Sequence, residues 1–403
     1  GKKKTHGSDN LKGKTMPPLD VSIDDPVLVA LSAPGEQRWG FHQFPALSRM
    51  PDGRILLMYA DAADASETHG HPAPGYVSDD EGQSWSFLSE ELRPVRPHFS
   101  ISEVYDGEFL VMPACEYLNI DAMGVELPEP VAEACVYGTL FHYRCSDMPK
   151  PVQDYFRHIP GKRWAPGSGT WQDTIVEYDI RKLLPWRRAD SRVLPRTYFE
   201  HPLLRWHGEL LYPDYRARYV QDNGQIIGHG STSLMVSTDN GQSFQRRSTL
   251  AADLSDRDLM GEPALSATAD GNLVCVVRRT DQTQKPMCIT WSEDGGNTWE
   301  PIQDLFDFGV FPGVLLLGNG VLVVSYGRPG VHLAFDANGA GKSWDHHETL
   351  IAGDHAAVSQ HTCGYTSLLA LDDDSFLIAY SDFQHNDPDG QQHKAILTQR
   401  ISF

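Results

Sequence analysis

Glu262 and Tyr365 stand out of pattern in this chain. Each opens an apolar, strand-like run, EPALSATADGNLVCVVR and YTSLLALDDDSFLIAYSD, at a position where matching runs begin with Phe44 or Phe311. Another run of the kind begins with His201. A carboxylate placed where the pattern is otherwise apolar is costly to desolvate unless it is paired or used. The far ends of the same runs add Asp61, Tyr215 with Arg216 and Arg218, Arg278 with Arg279, Arg328, and Ser381 with Asp382. Where a run folds back on itself as an antiparallel pair, its start and finish share one edge. Carboxylates, a phenol, an imidazole and guanidiniums would then gather round one point, a set able to move protons and hold an anion. Singly, each residue has a plain explanation: exposed arginines are usually solvated, a strand Tyr is usually core, and a strand-end Asp usually forms a turn. Their convergence is what singles them out.

The elements that must position them recur six times, as FPALSRMPDGRILLMYAD from Phe44, FSISEVYDGEFLVMPA from Phe99, HPLLRWHGELLYPDYR from His201, and the runs from Glu262, Phe311 and Tyr365. Each is an apolar run, a polar Asp/Gly turn and a second apolar run. Periods of about 50 residues built from short strands predict the blades of a β-propeller, here an all-β, six-bladed one. Three copies are followed by S-x-D-x-G-x-[S/T]-[W/F], the Asp box: Ser78 to Trp85, Ser237 to Phe244 and Ser292 to Trp299, with a degenerate fourth ending at Ser343 and Trp344. In such a box the Asp and Ser or Thr hydrogen-bond a tight turn, Gly supplies φ > 0 and the aromatic packs between sheets, so the boxes are structural. The inner strands surround the axis, which places the residues singled out above at one mouth of a central channel. PVLVALS (Pro26 to Ser32) and AILTQRIS (Ala395 to Ser402) are suited to pair and close the ring.

The 403 residues are expected to form one domain from residue 16 to 403, preceded by a basic, polar tail at 1–15 that ends before a start at Met16. An insertion is expected at about 117–198, where the second and third copies start about 100 residues apart. It holds EACVYGTLFHYRC, read as a strand, and a stretch with Trp164, Trp171, Trp186, Arg187 and Arg188. Such an insertion shapes a binding surface, decorates the ring or forms an oligomer contact. A net charge of −20 argues against nucleic acid or an anionic membrane as partner, and requires any anionic substrate to find locally concentrated arginine. No apolar run approaches the ~18 residues of a membrane span. The six cysteines show no CxxC pair and read as free thiols; with a native start at Met16, which would carry no export signal, they point to the cytoplasm, and with a signal peptide removed the protein would be secreted or periplasmic.

At Glu262, Arg278, Arg328 and Tyr365 the chain resembles the sialidase superfamily of six-bladed Asp-box propellers. GEPALSATADGNLVCVVR is similar to that family's strand carrying the catalytic Glu and, sixteen residues on, a carboxylate-binding Arg, which map to Glu262 and Arg278. CGYTSLLALDDDSFLIAYSD is similar to the strand of the nucleophilic Tyr, mapping to Tyr365, and YGRPGVHLAF places another carboxylate-binding Arg at Arg328. The resemblance implies a retaining glycosidase in which Tyr365 attacks the sugar, Glu262 accepts its proton, since a phenol of pKa near 10 is unreactive without a base, and Arg278 and Arg328 bind a carboxylate. It also implies glycan work outside the cell, and no cofactor.

The match breaks in the first blade. His42-Gln43-Phe44-Pro45 stands where the family has Arg-Ile-Pro, so Gln43 replaces the third arginine of the clamp, at a cost of roughly tenfold to a hundredfold in carboxylate binding. The acid/base Asp of the family lies in the following loop, where Asp61, Asp64, Glu67, His69 and His71 are candidates. Thr68-His69-Gly70-His71 is a poor metal motif, and no metal is expected. Sequence reading therefore expects an exo-acting, sialidase-like glycoside hydrolase on an acidic or unusual terminal sugar, with Tyr365, Glu262, Asp61, Asp64 and His69 as catalytic candidates. Arg278, Arg328, Gln43, His42, His201, Tyr215 and Arg216 are the candidates for substrate binding. Two alternatives use the same residues: a polysaccharide lyase on uronic-acid glycans, in which a Tyr or His takes the proton beside a carboxylate that Arg or Gln neutralises, with Tyr365, His201, His42, Gln43 and Arg278 as candidates, and a glycan-binding propeller without catalysis.

Overall fold

The computed structural model describes residues 18–98, 100–113, 118–187, 193–194, 196–197, 199–280 and 284–403. The predicted tail at 1–15 lies outside them, as do Phe99, Cys115, Tyr117, Arg188 and Tyr198. The chain forms a six-bladed β-propeller. Blade I comprises Phe41–Arg49, Ile55–Asp61, Gly75–Ser78 and Ser86–Phe87. Blade II comprises Ile101–Tyr105, Glu108–Val111, His158–Trp164 and Trp171–Tyr178, and blade III comprises Leu204–Trp206, Glu209–Asp214, Thr232–Ser237 and Ser243–Ala251. Blade IV is Met260–Ala267, Leu273–Arg279, Met287–Ser292 and Gln303–Leu305, and blade V is Val310–Leu316, Leu322–Gly327, Val331–Asp336 and His346–Ile351. Blade VI is Thr366–Asp372, Ser375–Asn386 and Gln392–Ser402, completed on its outer edge by Ser22–Ile23 and Val27–Leu31. The register Val27↔Thr398, Leu31↔Ala395 is the ring closure that the patterns of the two termini anticipate.

The middle strands read as continuous apolar runs because both of their faces are covered. Successive side chains point to opposite faces, and each face meets a different blade. In blade IV, Leu273, Cys275 and Val277 pack with blade III, while Val274 and Val276 pack with blade V. In blade I, Ile55, Leu57 and Tyr59 pack with blade VI, while Leu56 and Met58 pack with blade II. The Asp-box segments sit at the ends remote from the channel mouth. In blade IV Ser292 pairs with Leu273, the start of the second strand. There Ser292 Oγ accepts from the Gly296 N–H (2.8 Å) and Asp294 Oδ1 from the Thr298 N–H (2.8 Å). The same bonds recur at Ser78 with Asp80 and at Ser237 with Asp239. Trp299 Nε1 donates across to Ser248 of blade III (3.1 Å) and Trp85 Nε1 to Thr398 of blade VI (3.2 Å), which ties neighbouring blades together.

The region 117–198 differs from its expected form. Residues 158–178 are the two outer strands of blade II, with Trp164 and Trp171 in edge contact at 5.5 Å inside the I/II core, so the excursion is split into a piece before His158 and a piece after Tyr178. EACVYGTLFHYRC is two strands, Ala132–Cys135 and Thr139–Arg144, because Tyr137 and Gly138 take positive φ (53° and 108°) and turn the chain between them. With Leu183–Trp186 they form a three-stranded sheet. That sheet and the helix Lys150–Arg157 enclose a separate apolar cluster containing Tyr143, Phe156 and Trp186.

Candidate active site

The innermost strands of blades I, IV and V carry the same device. Phe44, Glu262 and Phe311 each precede a proline, each take positive φ (55°, 44° and 38°), and each sit in a register break between Gln43 and Ala46, Gly261 and Ala264, or Val310 and Gly313. A proline brings no N–H to the ladder, so the bulge loses no bond there. The bulge presents the preceding side chain to the channel mouth. Left-handed backbone costs a non-glycine residue about 1–3 kcal/mol, and such strain concentrates at functional sites. Tyr365 reaches the same place in blade VI from just before its strand, following Gly364. At φ 78° Gly364 lets the chain approach Arg328, where a Cβ would stand 2.5 Å from the Arg328 N.

The Tyr365 hydroxyl donates to Glu262 Oε1. The other carboxylate oxygen, Oε2, accepts from Arg278 Nη1 (2.9 Å) and from the Phe311 N–H (3.0 Å). Burial alone would raise the Glu262 carboxyl, but the Arg278 charge, the hydrogen bonds from Tyr365 and Arg278, and the Arg328 charge outweigh it and hold it below the ordinary range. Burial and then the Glu262 charge push the Tyr365 phenol well above 10. At neutral pH the pair is thus a neutral phenol donating to an ionised carboxylate. The phenol ring is fixed between Phe311, parallel to it at 4.6 Å, and Phe44 at 4.7 Å, and His201 stacks behind Phe311 at 4.6 Å. The guanidinium of Arg328 lies 5.4 Å from the Tyr365 ring and 4.9 Å from that of Trp39, and its Nε donates to the Cys363 carbonyl (3.0 Å).

Two cavities meet at this cluster. A mouth pocket of about 260 Å³ is lined by Glu262, Tyr365, Arg278, Arg328, Asp64 and Tyr215, with Trp39, Phe44, Tyr137 and Leu259. A channel of about 790 Å³ runs along the axis and shares Phe44, Asp64, Glu262 and Tyr365 with it. The channel is mainly a product of ring geometry, with Ala264, Val314 and Leu368 on its wall, and the smaller pocket gathers the phenol, carboxylates and guanidiniums. Among the described residues no three His, Cys, Asp or Glu side chains converge as metal ligands would.

The other residues singled out in the sequence divide between these spaces. Asp64 borders both cavities and accepts from Trp39 Nε1 (3.1 Å). Asp61 borders the channel and lies 3.0 Å from His42 Nδ1, an ion-pair distance without hydrogen-bond alignment. His69 and His201 line the channel and not the mouth pocket; burial lowers them to about 3 and about 4, helped at His69 by the charges of Arg216 and His98 and opposed at His201 by Glu262. Arg216, also in the channel, pairs with Glu200 (2.8 Å). Gln43 and His42 border neither cavity. Gln43 is fully buried, and its Oε1 accepts from the Gly40 N–H (2.8 Å) and from Lys394 Nζ (3.2 Å). As the bulge sends Phe44 to the mouth, its neighbour Gln43 turns into the barrel wall. Trp39 and Tyr137 were missed. Their signals were a Trp-Gly pair just ahead of the blade I bulge and a Tyr-Gly turn inside the insertion.

No protein-family model matches the chain, and no curated protein is similar to it in sequence. Solved structures similar to it include a protein of unknown function from Dyadobacter fermentans (TM-score 0.61, 18% identity, covering 95% of this chain and 99% of that one). An α-L-arabinanase from Penicillium chrysogenum complexed with arabinobiose (0.54, 14%, 93% and 98%) and a GH93 α-L-arabinofuranosidase of Fusarium graminearum with arabinobiose (0.53, 13%, 93% and 97%) are also similar. At these identities the likeness is one of fold, and it extends over nearly the whole of each chain.

Proposed function

We propose that this protein is a retaining exo-glycoside hydrolase with a tyrosine nucleophile, acting on a terminal sugar that carries an acidic or strongly polar substituent. The observation that carries the reading is the Tyr365 hydroxyl donating to a Glu262 carboxylate held ionised by Arg278, inside a pocket. Tyr365 Oη attacks the anomeric carbon while Glu262 takes the phenolic proton and Asp64 protonates the departing glycosidic oxygen. The aryl glycoside so formed is opened by water: Asp64 takes the water's proton, and Glu262 returns its proton to the leaving phenolate. Two displacements leave the anomeric configuration unchanged. A phenol avoids the repulsion a carboxylate nucleophile would meet beside an anionic sugar. Arg328 and Arg278, which both line the mouth pocket, are the anchor for that anion. A 260 Å³ pocket, below the ~300–1,000 Å³ of sites for larger ligands, suits a single sugar residue and hence exo action.

Gln43 and His42 lie away from both cavities, so of the residues named for the lyase reading only Tyr365 and Arg278 line the mouth pocket. The arabinobiose in the two similar arabinan-cleaving enzymes adds L-arabinofuranosides to the substrates worth trying. The test is a panel of 4-methylumbelliferyl glycosides of sialic acid, KDN, uronic acids, rhamnose and arabinose, with Tyr365→Phe beside the wild type. Release from one sugar that is lost in the variant is expected. Turnover that persists in Tyr365→Phe would overturn the mechanism, and glycan binding equal in both proteins without turnover would make this a binding propeller.

A further inference from the structure

A pocket with room for one sugar leaves the scissile bond at its rim, so whatever stands on the rim meets the departing part of the glycan. Tyr137 stands there. It lines the mouth pocket together with Glu262 and Tyr365, yet it is 55% exposed. It comes from the insertion and not from any blade, at the tip of the hairpin whose Val136 N–H donates to Gly138 O (2.9 Å). The tip is braced from below. Arg187 Nε donates to the Val136 carbonyl, and the Arg187 guanidinium lies 5.7 Å from the Tyr137 ring. Arg187 follows directly on the strand Leu183–Trp186, whose Trp186 is fully buried in the insertion's own core. An aromatic face held rigidly at a pocket rim, half open to water, is suited to cover the apolar face of a sugar ring.

Building on the hydrolase reading, we infer that Tyr137 is the platform for the leaving-group sugar, and that the insertion is a specificity element selecting glycans of at least two residues. The platform holds the aglycone sugar while Asp64 protonates the oxygen between the two rings. Trp39, bonded to Asp64 and backed by Arg328, keeps that carboxyl at the rim.

The experiment compares two substrates of the sugar identified in the panel: its glycosyl fluoride, whose leaving group offers nothing to stack, and the same sugar linked to a second sugar. Tyr137→Ala is expected to lower kcat/KM about tenfold on the disaccharide and far less on the fluoride, while Tyr137→Phe restores the disaccharide rate. Equal losses on both substrates, or no loss on the disaccharide, would overturn the platform and leave the hydrolase reading standing. A wild type silent on every fluoride of the panel sugars overturns the hydrolase reading and the platform with it.

Discussion

The charge state of one hydrogen-bonded pair decides how this site can work. In the proposed attack Glu262 must be ionised to accept the Tyr365 proton, and its carboxyl is held below the usual range. A depressed pKa means that the ion pair contributes stability above the unfolded value of about 4.3 and loses it as pH falls through the lower folded value. The acid limb of kcat/KM is therefore expected below about pH 4.3. Arg278→Met should move that limb to higher pH, because burial then acts on the carboxyl with less opposition. It should also cost about 3–5 kcal/mol of stability, since Arg278 and Glu262 are both buried. No alkaline limb from Tyr365 is expected below about pH 10, its phenol being shifted upward. Tyr365→Phe should lower kcat about 10³-fold or more and Glu262→Gln about 10²- to 10⁴-fold, with circular dichroism unchanged. These partners were legible in the sequence because each departs from an apolar register. Gln43 was misplaced because register gives a side chain's position along a strand and not its direction after a bulge.

At the scale of elements, the two ends of blades I, IV and V do separate work. The mouth ends carry the strained X-Pro bulges, and the remote ends carry the bonded turns. The degenerate fourth box shows the division well. Asp336, only 1% exposed, replaces the usual Ser and Asp by accepting from the N–H groups of Asn338 (2.9 Å), Gly341 (2.7 Å) and Lys342 (2.9 Å). It pairs with Leu322, at the end of blade V away from the mouth. Asp336→Ala leaves those donors without an acceptor and should cost about 2–4 kcal/mol in thermal or denaturant unfolding. The kcat/KM on the panel substrate should stay within about twofold of wild type. A comparable fall in kcat/KM would mean that the turn reaches the site. Strand repeats were readable because both faces are buried, which yields unbroken apolar runs. The outer strands of blade II were not, because HIPGKRW and WQDTIVEY carry polar and exposed residues and lie beyond a piece of the insertion.

For the whole molecule, the six interfaces between blades form a closed cycle, and the VI/I interface contains Val29 and Ala30 from the N-terminal strand. Removing the chain through Leu31 would strip that apolar contact and leave Gln392–Ser402 as an unpaired edge. A loss of about 3 kcal/mol or more is expected, together with concentration-dependent association detectable by light scattering. Deletion with no effect on either would mean that the ring closes without this strand. The clasp also sets a timetable for the chain's birth. Ser22 leaves the ribosome among the first residues of the ring, and its partner Ser402 among the last of them. The opening strand must therefore wait, unpaired, through nearly all of the ring's synthesis, while five blades assemble from contacts close in sequence. The final step joins the ring's oldest segment to its newest, so a release or stall before the last strand yields a ring that holds Glu262 and Tyr365 and is open at its seam.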